Sequence, residues 1–347
     1  MKKQIFPIPL LMSLTLFNAC SSDVELYADY KDVAIIYAML DHRADTNYVK
    51  ITRAFCGTND NPIDASEVAL IYDSSNYPGK LDARIIELRS TYGNSYESTG
   101  REIILDTMTL HNKEEGAFYA PDQIVYYTAE PLNSGTNGQK YKYRLVAVKP
   151  DGDTITAVTK MIGNEELSIT TNKVAFQMAP THVVEKAFFR IESETGLFEI
   201  GMRFNYREQH DGQEMKRKYI SRSFGSNDII HLGGNYYCVE YSLNWLFNTL
   251  AIAIGGDTIA DLNHPNVTRY VDDFVISISA AGEDLYYYYA ANLEQQNNPV
   301  GFVSIYSNIN GGYGLFSSRT TVKKVVNMSN STLNDLFAKT SWGFQEQ

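Results

Sequence analysis

The stretch Tyr141-Lys142-Tyr143-Arg144-Leu145-Val146-Ala147-Val148, then Lys149-Pro150-Asp151-Gly152-Asp153, then Thr154-Ile155-Thr156-Ala157-Val158-Thr159 decides the fold class. Two runs rich in β-branched and aromatic residues flank five residues that hold Pro and Gly. Pro fixes φ and Gly admits positive φ, so the chain reverses between them and a β-hairpin is expected. The same grammar recurs upstream. Val33–Leu40 is a continuous apolar run, the pattern of a strand buried on both faces, and Tyr48–Phe55 alternates after the polar turn Asp45-Thr46-Asn47. Ala83–Arg89, Arg101–Thr107 and Gln123–Ala129 add further strands. About seven short strands with regular turn signals predict an immunoglobulin-like or fibronectin-like β-sandwich over residues 32–165.

Residues 166–347 read as a second β-rich domain with short helices, after a crossing at Gly163–Pro180. Ala187–Ser193 and Leu197–Tyr206 suggest a hairpin around Glu194-Thr195-Gly196, and Met215–Ser223 follows the turn Gln209-His210-Asp211-Gly212. Ser242 is placed to cap a helix from Leu243 to Ile254 that ends at Gly255-Gly256. Phe274–Ser279 alternates as a strand, Leu285–Gln296 follows as a helix, and Ser331 is placed to cap Thr332–Lys339. Gly301–Phe316 is Gly- and aromatic-rich, and the glycines of Gly311-Gly312-Tyr313-Gly314 within it suggest a sharp loop. The fold class is therefore mainly β, with a few helices. No fixed-period repeat supports a solenoid or propeller.

Composition narrows the class further. A chain of 347 residues with 44% hydrophobic and 20% charged residues is neither disordered nor fibrous. Its net charge of −11 speaks against nucleic acid, whose phosphates call for a basic patch. Tyr 25 beside Trp 2 marks a strand-favouring composition.

The N-terminus carries an address. Lys2 and Lys3 precede the apolar stretch Ile5–Phe17, which is too short to span a bilayer and contains Pro7 and Pro9. Residues 1–19 thus read as a signal peptide. The ending Leu16-Phe17-Asn18-Ala19-Cys20 resembles the lipobox of bacterial lipoproteins, although Phe17 and Asn18 depart from its common pattern. That resemblance implies cleavage before Cys20 and lipid attachment to its sulfur, with residues 20–31 as a tether; an ordinary secretory signal with an incidental Cys is the alternative. Ser21-Ser22-Asp23-Val24-Glu25 resembles the surface-export signal of Bacteroidota lipoproteins. Losing Lys2 and Lys3 takes the charge from −11 to −13. Cys56 and Cys238 fit no zinc spacing; two buried thiols are expected, with a disulfide as the alternative outside the cytoplasm.

Four phrases extend the likeness: Tyr48–Phe55, Phe118-Tyr119-Ala120-Pro121-Asp122-Gln123-Ile124, Tyr143–Val148 and Ser307–Arg319. With the lipobox, they make nearly the whole mature chain resemble a family of Bacteroidota lipoproteins of unknown function. The resemblance implies an extracytoplasmic protein, in some cases near outer-membrane nutrient receptors. It implies no catalytic residue.

A search for chemistry returns few candidates. His42, His111, His182, His210, His231 and His264 show no metal-ligand spacing. Gly301–Tyr306 has its Ser at the wrong offset for a hydrolase elbow and no second Gly, and Gly311-Gly312-Tyr313-Gly314 is no dinucleotide fingerprint. Asn59-Asp60-Asn61, Asp64 and Glu67 offer oxygen ligands for Ca²⁺ but lack EF-hand spacing; Asp64 also suits a helix cap. Tyr286-Tyr287-Tyr288-Tyr289 and Tyr236-Tyr237 are the best binding candidates, since tyrosine rings present flat faces to sugars or peptides. Plain structural work, burying the rings while keeping each hydroxyl wet, is the preferred explanation, and on a helix at most two of the four can share a platform.

No catalytic residue, cofactor or metal site is expected. The expected function is that of a non-enzymatic binding or accessory lipoprotein for outer-membrane nutrient capture. A surface adhesin or structural spacer is the alternative, and a hydrolase with an unseen carboxylate pair is a third reading. The expected partners are the membrane, through Cys20, and an outer-membrane transporter or a surface glycan or peptide. The expected place is the outer membrane, facing the cell surface, with a periplasmic face as the alternative.

Overall fold

A computed structural model describes residues 32–54, 69–91, 95–116, 119–136, 138–178, 182–210, 212–255, 267–297 and 305–346. Cys20, Cys56, His264, Gly301 and the acidic cluster Asn59–Glu67 lie outside them. The fold is mainly β, 53% strand against 15% helix, in several sheets with a sandwich-like arrangement. The hairpin forms as β7 (Tyr141–Val148) and β8 (Thr154–Lys160), with Val148 paired to Thr154. Gly152 takes φ +91°, and its N–H donates to the Lys149 carbonyl at 3.0 Å, closing the turn. The buried Lys149 ammonium lies within 3.1 to 3.7 Å of Asp151, Asp153 and Asp32, so the turn is pinned electrostatically as well.

β7 and β8 belong to a five-stranded sheet ordered β17–β8–β7–β3–β4, with β3 at Asp82–Ser90, β4 at Tyr96–Ile104 and β17 at Ile309–Asn310. Facing it are β1 (Ala34–Leu40), β2 (Asn47–Arg53), β6 (Gln123–Thr128) and β5 (Asp106–Leu110). Ile36, Leu40 and Val49 from one side and Ile85, Leu145 and Ile155 from the other, all fully buried, fill one apolar core between them.

These four strands continue into a ten-stranded sheet. Its other half is β13 (Lys216–Phe224), β12 (Thr195–His210), β16 (Val267–Gly282) and β18 (Gly312–Met328), with two-residue strands β10 (Lys173–Val174) and β19 (Phe344–Gln345) alongside. The inner face of this half shares a second core with a four-stranded sheet ordered β14–β15–β11–β9, at Ile229–Gly233, Tyr236–Ser242, Val184–Arg190 and Ser168–Ile169. Helices α1 (Trp245–Ala253) and α3 (Asn330–Ala338) complete that core through Leu246, Phe247, Leu250 and Leu336. A third helix, α2 (Glu283–Asn297), is described with the site.

β18 joins the two cores. It pairs antiparallel with β16 through Arg319–Val326 and parallel with β1 through Gly312–Ser318. Phe316 packs in the first core and Val326 in the second. Gly314 makes the parallel contact feasible: it has φ +120°, and a Cβ there would lie 1.9 Å from the Ile36 carbonyl oxygen.

Several expectations are corrected. Ala187–Ser193 and Leu197–Tyr206 form no hairpin with each other: β11 pairs with β15 and β9, while β12 pairs with β13 and β16. The turn at Glu194 switches sheets, because inward residues on the two strands serve opposite walls of one core. Of the glycines expected to make a sharp loop, only Gly311, with φ +83°, turns the chain; Gly312–Gly314 begin β18, the longest strand among the described residues. The last helix is capped by Ser329, whose hydroxyl accepts the Thr332 N–H at 3.1 Å, and not by Ser331. Asn244, not Ser242, holds the cap position of α1; the Ser242 hydroxyl donates to its side chain at 2.5 Å. Finally, β1 is buried on one face only. Ala34, Ile36, Ala38 and Leu40 point inward, whereas Tyr37 is 45% exposed on the other face.

Candidate functional site

The outer face of β1 is the floor of the site. Successive side chains of a strand alternate faces, so filling the core with Ile36 and Ala38 projects Ile35 and Tyr37 outward. Register then chooses their neighbours. Tyr37 lies opposite Lys50 and Ile35 opposite Thr52 on β2, while Ile35 lies opposite Tyr313 on β18.

α2 stands on this outer face, with Glu283 and Asp284 in its first turn, where the helix dipole favours acids. Its start is tied to β8: Lys160 Nζ lies 2.9 Å from a Glu283 carboxylate oxygen, and the Thr159 hydroxyl donates to Asp284 at 3.2 Å. The Tyr306 hydroxyl donates to the other Asp284 oxygen at 2.7 Å. Burial and the adjoining Asp284 carboxylate push the Tyr306 phenol far up, so it stays neutral.

The tyrosine run separates as helical geometry requires. Tyr288 faces Tyr37, with hydroxyls 3.4 Å apart and rings edge-on at 6.3 Å between centroids. That hydrogen bond, with burial, raises the Tyr37 phenol to about 12. Tyr288, Tyr37, Tyr306 and Tyr313 line a cavity of about 340 Å³. Tyr289 lines a different cavity of about 740 Å³, beside Leu285, Phe198 and Arg319. Tyr286 and Tyr287 are exposed and pack edge-on against each other, and Tyr287 leans on Tyr306. Of the other candidate pair, Tyr236 is exposed beneath Arg190, and Tyr237 stacks on His231 at 4.7 Å between centroids. Neither lines the Tyr37 cavity.

A second cavity adjoins the first at Tyr37. It holds about 460 Å³, within the range of about 300–1,000 Å³ typical of ligand sites, and Lys50, Arg53, Lys113 and Asp122 supply its charged lining. Lys50 is half-buried, and its ammonium donates to Gln123 Oε1 at 2.7 Å. Burial, with the Lys113 charge nearby, lowers its pKa. Lys113 donates to the Tyr119 carbonyl oxygen, and Asp122 Oδ1 lies 2.7 Å from His111 Nδ1. Sequence reasoning missed this part of the site, because Tyr37 and Ile35 sit in a run that looks like pure core. The available signal was the outward alternation of Lys50 and Thr52 on the partner strand.

A cavity of about 480 Å³ near the β12–β13 turn is also lined by cations, several of which are engaged by carboxylates. Arg207 meets Asp272 at 2.6 Å, and Asn205 donates to Asp273 at 2.6 Å. Beneath it, Glu208 is buried with Arg269 at 2.6 Å and is reached by Lys218 and His210. Burial alone would raise Glu208, but hydrogen bonds from Lys218, Arg269 and His210 outweigh it and hold the carboxyl at about 2.

Other expected residues play no part in the cleft. Cys238 is a buried free thiol on β15. His42 is half-buried against Gly163, and burial lowers its pKa. Among the described residues no His, Cys, Asp and Glu group could hold a metal ion, and no helix is long and apolar enough to cross a membrane. Glu192, the carboxylate that burial pushes up to about 7, lines none of these four cavities. No protein-family model and no curated protein matches the chain.

Proposed function

We propose that this protein is a non-enzymatic binding lipoprotein of the bacterial outer membrane, anchored through Cys20 and serving nutrient capture beside a transporter. The observation that carries the reading is the pair of cavities joined at Tyr37 on an exposed sheet face, walled by Tyr288, Tyr306 and Tyr313. Tyrosine couples a large apolar surface with a hydroxyl at low entropic cost, which suits contact with a hydrated surface ligand such as a glycan or peptide. The rings are held in place: α2 is bolted to β8 through Glu283 and Asp284, and β18 and β1 are locked by their parallel register. The signal peptide and the Ala19-Cys20 junction support the anchor, and the acidic mature chain supports a partner other than nucleic acid.

Purification of the full chain from its native membranes in mild detergent tests this. A transporter or surface glycan should accompany it and be lost from a Tyr37→Ala/Tyr288→Ala variant. Recovery of the protein alone overturns the accessory role, and retention on a host matrix without a transporter moves it to the adhesive class. Cys20→Ser should shift the chain from the membrane fraction to the soluble one.

A further inference from the structure

We propose that the tyrosine-walled cavity between β1, β18 and α2 binds the pyranose rings of a neutral glycan. This rests on the binding reading above and names its ligand class.

The wall gives the first argument. Tyr37, Tyr288, Tyr306 and Tyr313 make up half of its lining residues, and none of the others carries a charge. The bond to Tyr288 raises the Tyr37 phenol, and burial with Asp284 raises that of Tyr306, so both stay neutral. A charged group moved there from water would meet no counter-charge in the wall, and its desolvation would not be offset. Neutral rings instead offer flat apolar faces, which match the C–H face of a pyranose. Tyr37 and Tyr288 stand at 81° to each other, so they present two differently oriented faces.

The polar atoms left to a ligand separate a sugar from a peptide. The Tyr306 hydroxyl gives its one hydrogen to Asp284, so its oxygen can only accept from a ligand. Asn292, one turn along α2 from Tyr288, donates an amide N–H to the Tyr288 carbonyl at 2.7 Å and keeps its side-chain oxygen as an acceptor. Both oxygens call for donors. A sugar brings a hydroxyl on most of its ring carbons. A proline-rich peptide, another guest of aromatic grooves, has carbonyl acceptors and no N–H at its prolines. An ammonium group supplies donors too, but with a charge that this wall does not balance.

Position suits a chain of sugars. The cavity, at about 340 Å³, lies within the range of about 300–1,000 Å³ typical of ligand sites. It is bordered by the exposed Tyr313 and Ile305 and meets its neighbour at Tyr37. In that neighbour Lys50 gives one N–H to Gln123 and has others for the hydroxyls of a following sugar.

The test is calorimetry on the full chain in mild detergent, with short oligomers of glucose, mannose, galactose and xylose as neutral probes. Controls of similar length are the permethylated form of each, oligogalacturonate and oligoproline. At least one neutral oligomer should bind on the order of tenfold or more tighter than its permethylated form, which keeps the rings and loses the donors, and than the other controls. Tyr313→Ala should weaken that oligomer on the order of tenfold, and Tyr313→Phe should retain most of the affinity, because the ring makes the contact. Asn292→Ala should weaken it about fivefold and leave the permethylated form unchanged. If Tyr313→Ala unfolds, Tyr313→Phe and the Asn292 variant still decide. Failure of every neutral oligomer to bind, equal binding of a permethylated form, tighter binding of oligogalacturonate or oligoproline, or full affinity in both alanine variants overturns the proposal. An acidic glycan or a peptide that co-purifies and is lost from Tyr37→Ala/Tyr288→Ala also overturns it, yet sustains the binding reading. That reading fails separately, when the chain is recovered alone.

Discussion

Two regions of the ten-stranded sheet gather cations, and they differ in how those cations are partnered. At the β12–β13 turn Arg207, Arg269 and Lys218 are engaged by Asp272 and Glu208, with the deepest pair, Glu208–Arg269, almost fully buried. At the Tyr37 cleft Lys50, Arg53 and Lys113 share a lining with a single carboxylate. In the first arrangement Arg207, Lys218 and Arg269 are each tied to a carboxylate, so those contacts hold strands in register. The second sets a half-buried ammonium, Lys50, on an exposed strand floor beside apolar and tyrosine surface, which suits contact with something outside the chain. Counting charged residues would rank the two alike; following their partners separates them.

The comparison breaks most directly at Arg269. Replacing it with Ala leaves Glu208 buried with Lys218 and His210 only, and it also removes a 2.6 Å donor from the Trp342 carbonyl. Loss of one partner from a buried pair costs about 3–5 kcal/mol, so urea denaturation should show a drop of that size. An unchanged midpoint would mean that this region, too, holds its charges loosely.

Next in size is a pH effect from the other buried carboxylate. Glu192 accepts backbone N–H groups from Gly163 and Asn164, forms no salt bridge among the described residues, and is raised by burial from 4.5 to about 7. An acid with a raised folded-state pKa binds more protons folded than unfolded. Its contribution therefore falls as pH rises from 4.5 to 7 and is level above, a decline of about 3 kcal/mol at most. Glu208 acts with the opposite sign: the stability it draws is complete above 4.5 and lost as pH falls through about 2. Denaturation curves from pH 4.5 to 8 should show the decline, and Glu192→Gln should flatten it at a cost of about 1 kcal/mol for the weakened acceptor. A slope that survives Glu192→Gln assigns the titration elsewhere.

The class of fold was legible because strand periodicity and turn chemistry are local. The hairpin Tyr141–Thr159 forms where its β-branched runs and Pro-Asp-Gly turn place it, with its second strand one residue longer. Pairing between β1 and β18 was not legible: nothing in Ala34–Leu40 encodes a partner near residue 315, and the decisive Gly314 resembles any loop glycine. The site was legible in halves. The tyrosine run stands out in the sequence, and 3.6-residue geometry already limits how many of its rings share one wall; Tyr288 and Tyr289 indeed enter different cavities. Tyr37 was hidden, because an apolar run gives no period to tell a strand buried on both faces from one whose outer face lines a cleft.

A smaller effect sharpens the comparison within the cleft. Tyr306→Phe removes the hydroxyl that donates to Asp284 at 2.7 Å and helps to hold the start of α2. Asp284 keeps its bond from Thr159, so the loss should be about 1 kcal/mol, read as a lowered melting temperature. If the positions of Tyr288 and Tyr37 depend on that anchor, ligand affinity should fall by more than stability does. Equal losses would reduce Tyr306 to a structural role.

The smallest change in stability is expected at Lys50, and it is the most informative. Lys50→Gln retains a polar side chain near Gln123 while removing a half-buried charge that Lys113 opposes. Relief of that repulsion offsets the lost hydrogen bond, so the unfolding free energy should stay within about 0.5 kcal/mol of the parent. A cation that holds a fold together cannot be removed so cheaply, as Arg269 should demonstrate in the same assay. Binding should respond in the reverse order, with Lys50→Gln weakening ligand binding and Arg269 variants that remain folded leaving it intact. Should Lys50→Gln instead destabilise the chain as strongly as Arg269→Ala, the distinction between a saturated and an open cluster collapses, and the Tyr37 cleft becomes another piece of scaffold.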